Sequence, residues 1–169
     1  MKGKVMNRTS KLVTPFLALL ALAGCNKSAD AAGPAHYDLS AQSNAKYLAD
    51  FAAKPGVVKT QDGLEYRVIK AGKGKSPQSG ADMVTVTYKG SLINGKVFDQ
   101  TQPGKTASFP AGALIPGWVE ALSLMKEGDQ WQLVIPSDLG YGPEGAGGDI
   151  PPNQTLVFEL TLQSVAPPQ

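Results

Sequence analysis

Two stretches carry the side chains best suited to chemistry: Leu114-Ile115-Pro116-Gly117-Trp118, and Ile150-Pro151-Pro152-Asn153-Gln154-Thr155-Leu156-Val157-Phe158-Glu159-Leu160. Gly140-Tyr141-Gly142 lies between them. Each has an ordinary reading, as a helix start and as a strand. Together they outline an apolar pocket floored by an indole, a site that binds and desolvates rather than attacks. Pro116 suits the first helical position, where its missing N–H costs nothing. The amide of Ile115, just before it, is then free to face a ligand while Trp118 lies one turn in. The residues of nucleophilic and metal chemistry are sparse: the only Cys is Cys25 and the only His is His36. A zinc site is therefore not expected, nor a Ser/His or Cys/His nucleophile pair inside the folded part. No metal and no cofactor is implied, and most hydrolase chemistries are removed.

The first residues belong to export rather than to the fold. Lys2, Lys4, Arg8 and Lys11 form a basic region, followed by an apolar run from Leu12 to Ala23 that is too short for a stable membrane anchor. It ends Leu22-Ala23-Gly24-Cys25. Small residues before a lone Cys resemble the bacterial lipobox, which implies a signal peptide over residues 1–24 and lipid on the Cys25 thiol. An ordinary secretory signal with a chance Cys is the alternative. Asn26, where Asp would favour inner-membrane retention, points to the outer membrane. The expected location is thus the cell envelope, lipid-anchored, with the domain in the periplasm. Four of the sixteen Lys and Arg lie in this leader and none of the fourteen Asp and Glu do, so the formal charge of +2 becomes −2 in the mature chain. Nucleic acid is not an expected partner.

Residues 25–42 read as the lipidated N-terminus and a flexible tether rich in Ala, Ser and Gly. Ser43 to Ala53 predicts a short helix with Ala45, Tyr47, Leu48 and Phe51 on one face, stopped by Pro55-Gly56, the helical unit spanning residues 43–56. From residue 57 the period becomes that of strands. Leu64, Tyr66 and Val68 alternate with Glu65 and Arg67. Met83 to Tyr88 is β-branched, Asn94-Gly95 is a hairpin turn, Val97-Phe98-Asp99 starts the return, and Ala107-Ser108-Phe109 is a short extended piece. Trp118, Ala121, Leu122 and Met125 space as a helical face. Gln130 to Ile135 and Thr155 to Leu162 are strand-like. The loop from Pro136 to Gln154 holds five Gly and four Pro; its length, with Tyr141 and Ile150 inside it, favours a functional role. The expectation is an α+β fold: about five antiparallel strands wrapped on one short helix, in one domain (57–169) of about 110 residues with a single core.

Five ordered segments resemble the FKBP-type peptidyl-prolyl cis-trans isomerases: Val84-Thr85-Val86-Thr87-Tyr88-Lys89-Gly90, Asn94-Gly95-Lys96-Val97-Phe98-Asp99, Ile115-Pro116-Gly117-Trp118, Gly140-Tyr141-Gly142, and Ile150-Pro151-Pro152 through Phe158. Gly63-Leu64-Glu65-Tyr66 and the preceding helix are most similar to the bacterial envelope branch that includes the macrophage infectivity potentiators. That branch often carries a long helical dimerisation domain. Fewer than forty residues separate Cys25 from the core here, so a monomer is expected. The resemblance implies catalytic positions at Tyr88, Phe98, Asp99 and Tyr141, and substrate-binding positions at Leu114, Ile115, Trp118, Ile150 and Phe158. It further implies that Trp118 forms the pocket floor, and that the Ile115 amide and Tyr141 phenol donate to ligand carbonyls. Proline-containing unfolded or nascent exported polypeptides are the implied substrates, and macrolides such as rapamycin the implied inhibitors. Two positions depart from the family pattern: Ala107, where an aromatic commonly lines the pocket, and Ala146, where some members carry His.

An X–Pro bond rotates over a barrier of about 18–20 kcal/mol, on the order of tens to hundreds of seconds. The twisted transition state has a smaller dipole than the planar amide, so an apolar cleft favours it without nucleophile or metal. Taken singly, Trp118, Tyr88 and Phe158 read equally as core and Asp99 as a turn carboxylate; the five segments together favour a pocket. Asp99 is expected to orient Tyr88 by a hydrogen bond. Two functions stay open: an isomerase, and a weakly catalytic chaperone holding unfolded clients in the same cleft.

Overall fold

The computed structural model describes residues 36–168. The expected signal peptide, Cys25 and the tether up to residue 35 lie outside the described residues.

The chain folds as helix α1 (Ala41–Ala52), strands β1 (Val57–Lys59), β2 (Glu65–Lys70), β3 (Met83–Leu92), β4 (Val97–Gln100) and β5 (Ala107–Pro110), helix α2 (Pro116–Leu124), and strands β6 (Gln130–Ile135) and β7 (Leu156–Ala166). The strands form one antiparallel sheet in the order β1-β2-β6-β7-β3-β4, with β5 also pairing β3. The C-terminal strand β7 therefore lies in the middle, between β6 and β3. Asn94-Gly95 turns the chain between β3 and β4; Gly95 takes φ +86° and its N–H donates to Leu92 O at 2.9 Å, the left-handed backbone that glycine adopts without steric cost.

Strand periodicity separates two apolar layers. Val84, Val86, Leu133, Ile135, Leu160 and Leu162 point to one face, where α2 adds Trp118, Ala121, Leu122 and the capping Met125. Pro116 occupies the first turn of α2, as its fixed φ favours. Gly117 lets the helix approach closely: a Cβ there would fall 2.6 Å from Ile135 Cγ2. On the opposite face Val134 and Val157 meet Ile93 and Phe51, with Tyr47, Leu48 and Leu39 packed around them. Each such buried side chain contributes about 1.5–3 kcal/mol.

The fold class is as expected, and the details differ in four ways. The sheet has seven strands rather than about five, because the three-residue β1 is too short to show a period and β5 is a separate strand on β3. The helix begins at Ala41 rather than Ser43: Ser40 accepts from Ser43 N–H at 3.2 Å and caps it. The tether expected up to residue 42 is thus already helix at its end, and Tyr37 and Leu39 just before the cap pack against the second layer. Finally, the apolar interior is two clusters rather than one, since α1 covers the sheet face that α2 does not. Within the long loop, Ser137–Leu139 and Gly142–Glu144 each form a turn of 3₁₀ helix.

Candidate active site

A cavity of about 190 Å³ opens at one end of the α2-side layer. Tyr88 from β3, Phe98 and Asp99 from β4, Phe109 from β5, Leu114 and Ile115 before α2, Trp118 from α2, Tyr141 from the long loop and Phe158 from β7 line it. Seven stretches of chain thus converge on a space smaller than the roughly 300–1,000 Å³ of drug-sized pockets.

Edge-on aromatic contacts set its shape. Trp118, 4% exposed, meets Tyr88 and Phe158, each with ring centroids 5.2 Å away, at 84° and 82°. Phe158 meets Phe98 at 5.6 Å and 85°. This T-shaped geometry places positive ring edges on negative faces and adds about 0.5–1.5 kcal/mol per pair beyond burial. Gly90 makes the arrangement possible. In the ladder it pairs with Asp99 of β4 and Phe158 of β7. A Cβ at that position would lie 2.6 Å from Phe158 Cε1 and 2.7 Å from Phe98 Cζ.

Four polar groups interrupt the apolar wall. The Tyr88 hydroxyl donates to Asp99 Oδ2 at 2.6 Å. Burial, and then the bond to the Asp99 carboxylate, hold the Tyr88 phenol well above the ordinary tyrosine range. Tyr141 is 38% exposed at the rim; burial first and the Asp99 charge second raise its phenol as well. Ile115 caps α2 with its carbonyl, which accepts from Trp118 and Val119, while its own N–H has no acceptor among the described residues. The indole N–H of Trp118 is buried and also has no acceptor among them. A buried donor left unmade costs about 1–3 kcal/mol; the Ile115 N–H, on a residue that lines the cavity, can meet a ligand carbonyl without first giving up a protein partner.

The structure brings eight of the nine expected site residues to one cavity: Tyr88, Phe98, Asp99, Leu114, Ile115, Trp118, Tyr141 and Phe158. Ile150 does not line this cavity, although it shares a core cluster with Trp118 and Phe158. It is buried in the main core, where its backbone pairs with Ala146 in both directions at 3.0 and 3.1 Å. Phe109 is the lining residue that the sequence reading missed. Ala107 and Phe109 are both half-buried on β5 while Ser108 and Pro110 are exposed. The aromatic looked for at Ala107 is therefore supplied two residues on, from the same face of the strand. The alternation of Ala107-Ser108-Phe109 carried that signal.

A family profile described as FKBP-type peptidyl-prolyl cis-trans isomerase matches residues 73–163. A second, for the domain amino terminal to such isomerases, matches residues 4–68. The FKBP-type 22 kDa peptidyl-prolyl cis-trans isomerase of Escherichia coli is 45% identical over 146 residues, 86% of this chain and 70% of that protein. The outer membrane protein MIP of Legionella longbeachae is 48% identical over 120 residues, 70% of this chain; the chain spans about half, 51%, of that relative's length. In three dimensions the crystal structure of FkpA from Escherichia coli aligns with a TM-score of 0.71 at 45% identity, covering 75% of this chain and 59% of that one.

Proposed function

The chain belongs to the FKBP-type peptidyl-prolyl cis-trans isomerases, and from that premise we propose that it accelerates X–Pro bond rotation in exported polypeptides within the Trp118 cleft. The single observation that carries this reading is the cavity: five aromatic side chains besides Tyr141 around about 190 Å³, with polar groups confined to the Tyr88–Asp99 pair, the Tyr141 phenol and free N–H donors. A proline ring seated against Trp118, Phe158 and Phe98 leaves water. The planar amide loses more solvation than the twisted one, because resonance gives it the larger dipole. The cleft thus stabilises the transition state selectively.

The polar groups act by orientation. The Ile115 N–H and the Tyr141 hydroxyl donate to substrate carbonyls flanking the rotating bond. Tyr88, held to Asp99 at 2.6 Å, keeps its ring edge-on to Trp118 and so fixes one wall. Each ~1.4 kcal/mol by which these contacts favour the twisted form is tenfold in rate. No proton is transferred and no covalent intermediate forms. Phe109 completes the aromatic wall, which favours an isomerase over a chaperone that merely holds clients.

The test is isomerisation of a short X–Pro peptide by the purified chain, with and without rapamycin. Acceleration that rapamycin abolishes is expected. A rate equal to the uncatalysed one would refute the reading.

We further propose that the protein works in the cell envelope as a monomer, lipid-anchored through Cys25, with the domain in the periplasm on the outer membrane. The basic and apolar leader ending Leu22-Ala23-Gly24-Cys25 supports the anchor, and the name of the Legionella relative supports the membrane. Cys25→Ser is expected to abolish labelling by a lipid precursor; labelling that persists would refute the anchor.

A further inference from the structure

The wall of the cleft that carries Tyr141 is a loop, and the loop does not hold itself in place alone. Inside it, Gly145 N–H donates to Tyr141 O at 3.2 Å, Ala146 and Ile150 exchange bonds, and Asn153 N–H donates to Gly142 O at 2.8 Å. Asn153 reaches that carbonyl by adopting φ +59°, the left-handed conformation that Asn tolerates better than most residues. The next two residues, Gln154 and Thr155, are buried. Buried polar groups of this kind need partners, and several of theirs come from more than a hundred positions away, on α1 and on Leu39 just before it.

Asn44, in the second turn of α1, is buried too. Its Oδ1 accepts from Thr155 N–H at 2.7 Å, and its Nδ2 donates to Gln154 Oε1 at 3.2 Å and to Ser40 O at 2.9 Å. Gln154 Nε2 in turn donates to Pro152 O at 3.0 Å and to Leu39 O at 3.2 Å. A continuous chain of bonds therefore runs from the start of α1, through Gln154 and Pro152-Asn153, to Gly142 and Tyr141. A network in which every buried member is satisfied fixes one geometry, because any displacement leaves a donor or acceptor orphaned.

We propose that Asn44 and Gln154 are positioning residues of the isomerase: they clamp the Tyr141 loop to α1, so that the helix preceding the catalytic domain sets the geometry of one wall of the cleft. This rests on the isomerase reading above. In a merely structural role Asn44 would lower stability and leave turnover per folded molecule intact. As a clamp it acts through Tyr141, which touches substrate while Asn44 does not. A displacement of about 1 Å at a substrate-contacting group costs up to a hundredfold in rate.

Two measurements on the full chain test this. Hydrogen exchange reads the loop directly. In Asn44→Ala the amides of Ile150 and Asn153, whose acceptors lie inside the loop, are expected to exchange faster, while those of Leu133 and Leu160 in the central strands keep their protection. Unchanged protection at Ile150 and Asn153 would overturn the clamp. The second measurement is a double-mutant cycle in kcat/KM. Asn44→Ala is expected to lower it about tenfold, Tyr141→Phe to lower it by at least as much, and the pair to be no worse than Tyr141→Phe alone. Losses that multiply would overturn positioning through Tyr141. Should Asn44→Ala fail to fold, Gln154→Ala leaves the Thr155–Asn44 bond in place and reads the same link. A wild-type chain without turnover would overturn the isomerase reading and the catalytic half of this proposal together, whereas the exchange measurement would still decide the clamp.

Discussion

Replacing Gly90 by Ala adds a single methyl group near the C-terminal end of β3, and its consequence for the cleft follows from distances. The new Cβ would lie 2.6 Å from Phe158 Cε1, 2.7 Å from Phe98 Cζ and 2.8 Å from Phe98 Cε2. Ordinary carbon–carbon contact is about 3.5–4.0 Å, so each ring edge must retreat by about 1 Å. Neither can do so freely: Phe158 is already edge-on to Trp118, and Phe98 to Phe158. Overpacking of this kind costs about 1–3 kcal/mol, which lowers Tm by about 2–8 °C per kcal/mol in domains of this size range. The larger effect is expected on catalysis, because the same two rings line the cavity proposed to seat the proline. The expected loss in kcat/KM for a short X–Pro peptide is about tenfold to a hundredfold, in a protein whose far-ultraviolet circular dichroism is unchanged at 25 °C. Gly148→Ala serves as control: nothing lies within 4 Å of a Cβ there and its φ is not in the left-handed region, so activity and Tm should match the wild type. A Gly90→Ala protein that is folded and fully active would refute the claim that Phe98 and Phe158 bound the substrate space.

Other outcomes follow from the same geometry. Trp118→Leu and Asp99→Ala should each lower kcat/KM at least about tenfold, the first by removing the floor and the second by releasing Tyr88 from its 2.6 Å bond; full activity in both would refute the assigned cleft. Because both phenols at the site are raised and the only His is His36, kcat/KM should be flat from about pH 6 to about pH 9, and a bell inside that window would refute a mechanism without acid–base catalysis. Asp82 is held below the ordinary carboxylate range by the Gln78 and Ser79 amides, and Glu127 by those of Val165 and Lys75. A depressed folded value stabilises above the unfolded pKa and is lost as pH falls through the folded one. Tm should therefore drop below about pH 4; a Tm constant down to about pH 2 would refute this contribution.

Much of the site could be read along the chain because its signals are local. Pro116 beside Trp118 places the indole at the start of a helix, and Asn94-Gly95 returns the chain so that Phe98 and Asp99 follow the strand of Tyr88. Three placements needed the tertiary structure, for a common reason. Phe109 and Ala107 are separated by one alternation on the same strand, so assigning one rather than the other to the cleft needs the register of β5 on β3. Ile150 could not be assigned to core or cleft without the tight Ala146–Ile150 pairing. The buried Asn44 sits in a helix whose partners, Gln154 and Thr155, are 110 and 111 residues away, and no periodicity records such a distance.

The sequence by itself determined the period of each element, its breaks, and the kinds of side chain available: aromatics in order, one His, one Cys, and no nucleophile pair. These are properties of neighbours within a turn or a strand, where propensity and patterning act. Only the tertiary structure decided that β7 enters the sheet between β6 and β3, that α1 covers the second face, and that Asn44 of α1 bonds Gln154 and Thr155. Those outcomes depend on which surfaces are left to bury once the sheet has formed. The physical reason is that burial and hydrogen-bond satisfaction are conditions on the whole chain, and a residue's nearest neighbours in sequence do not state them.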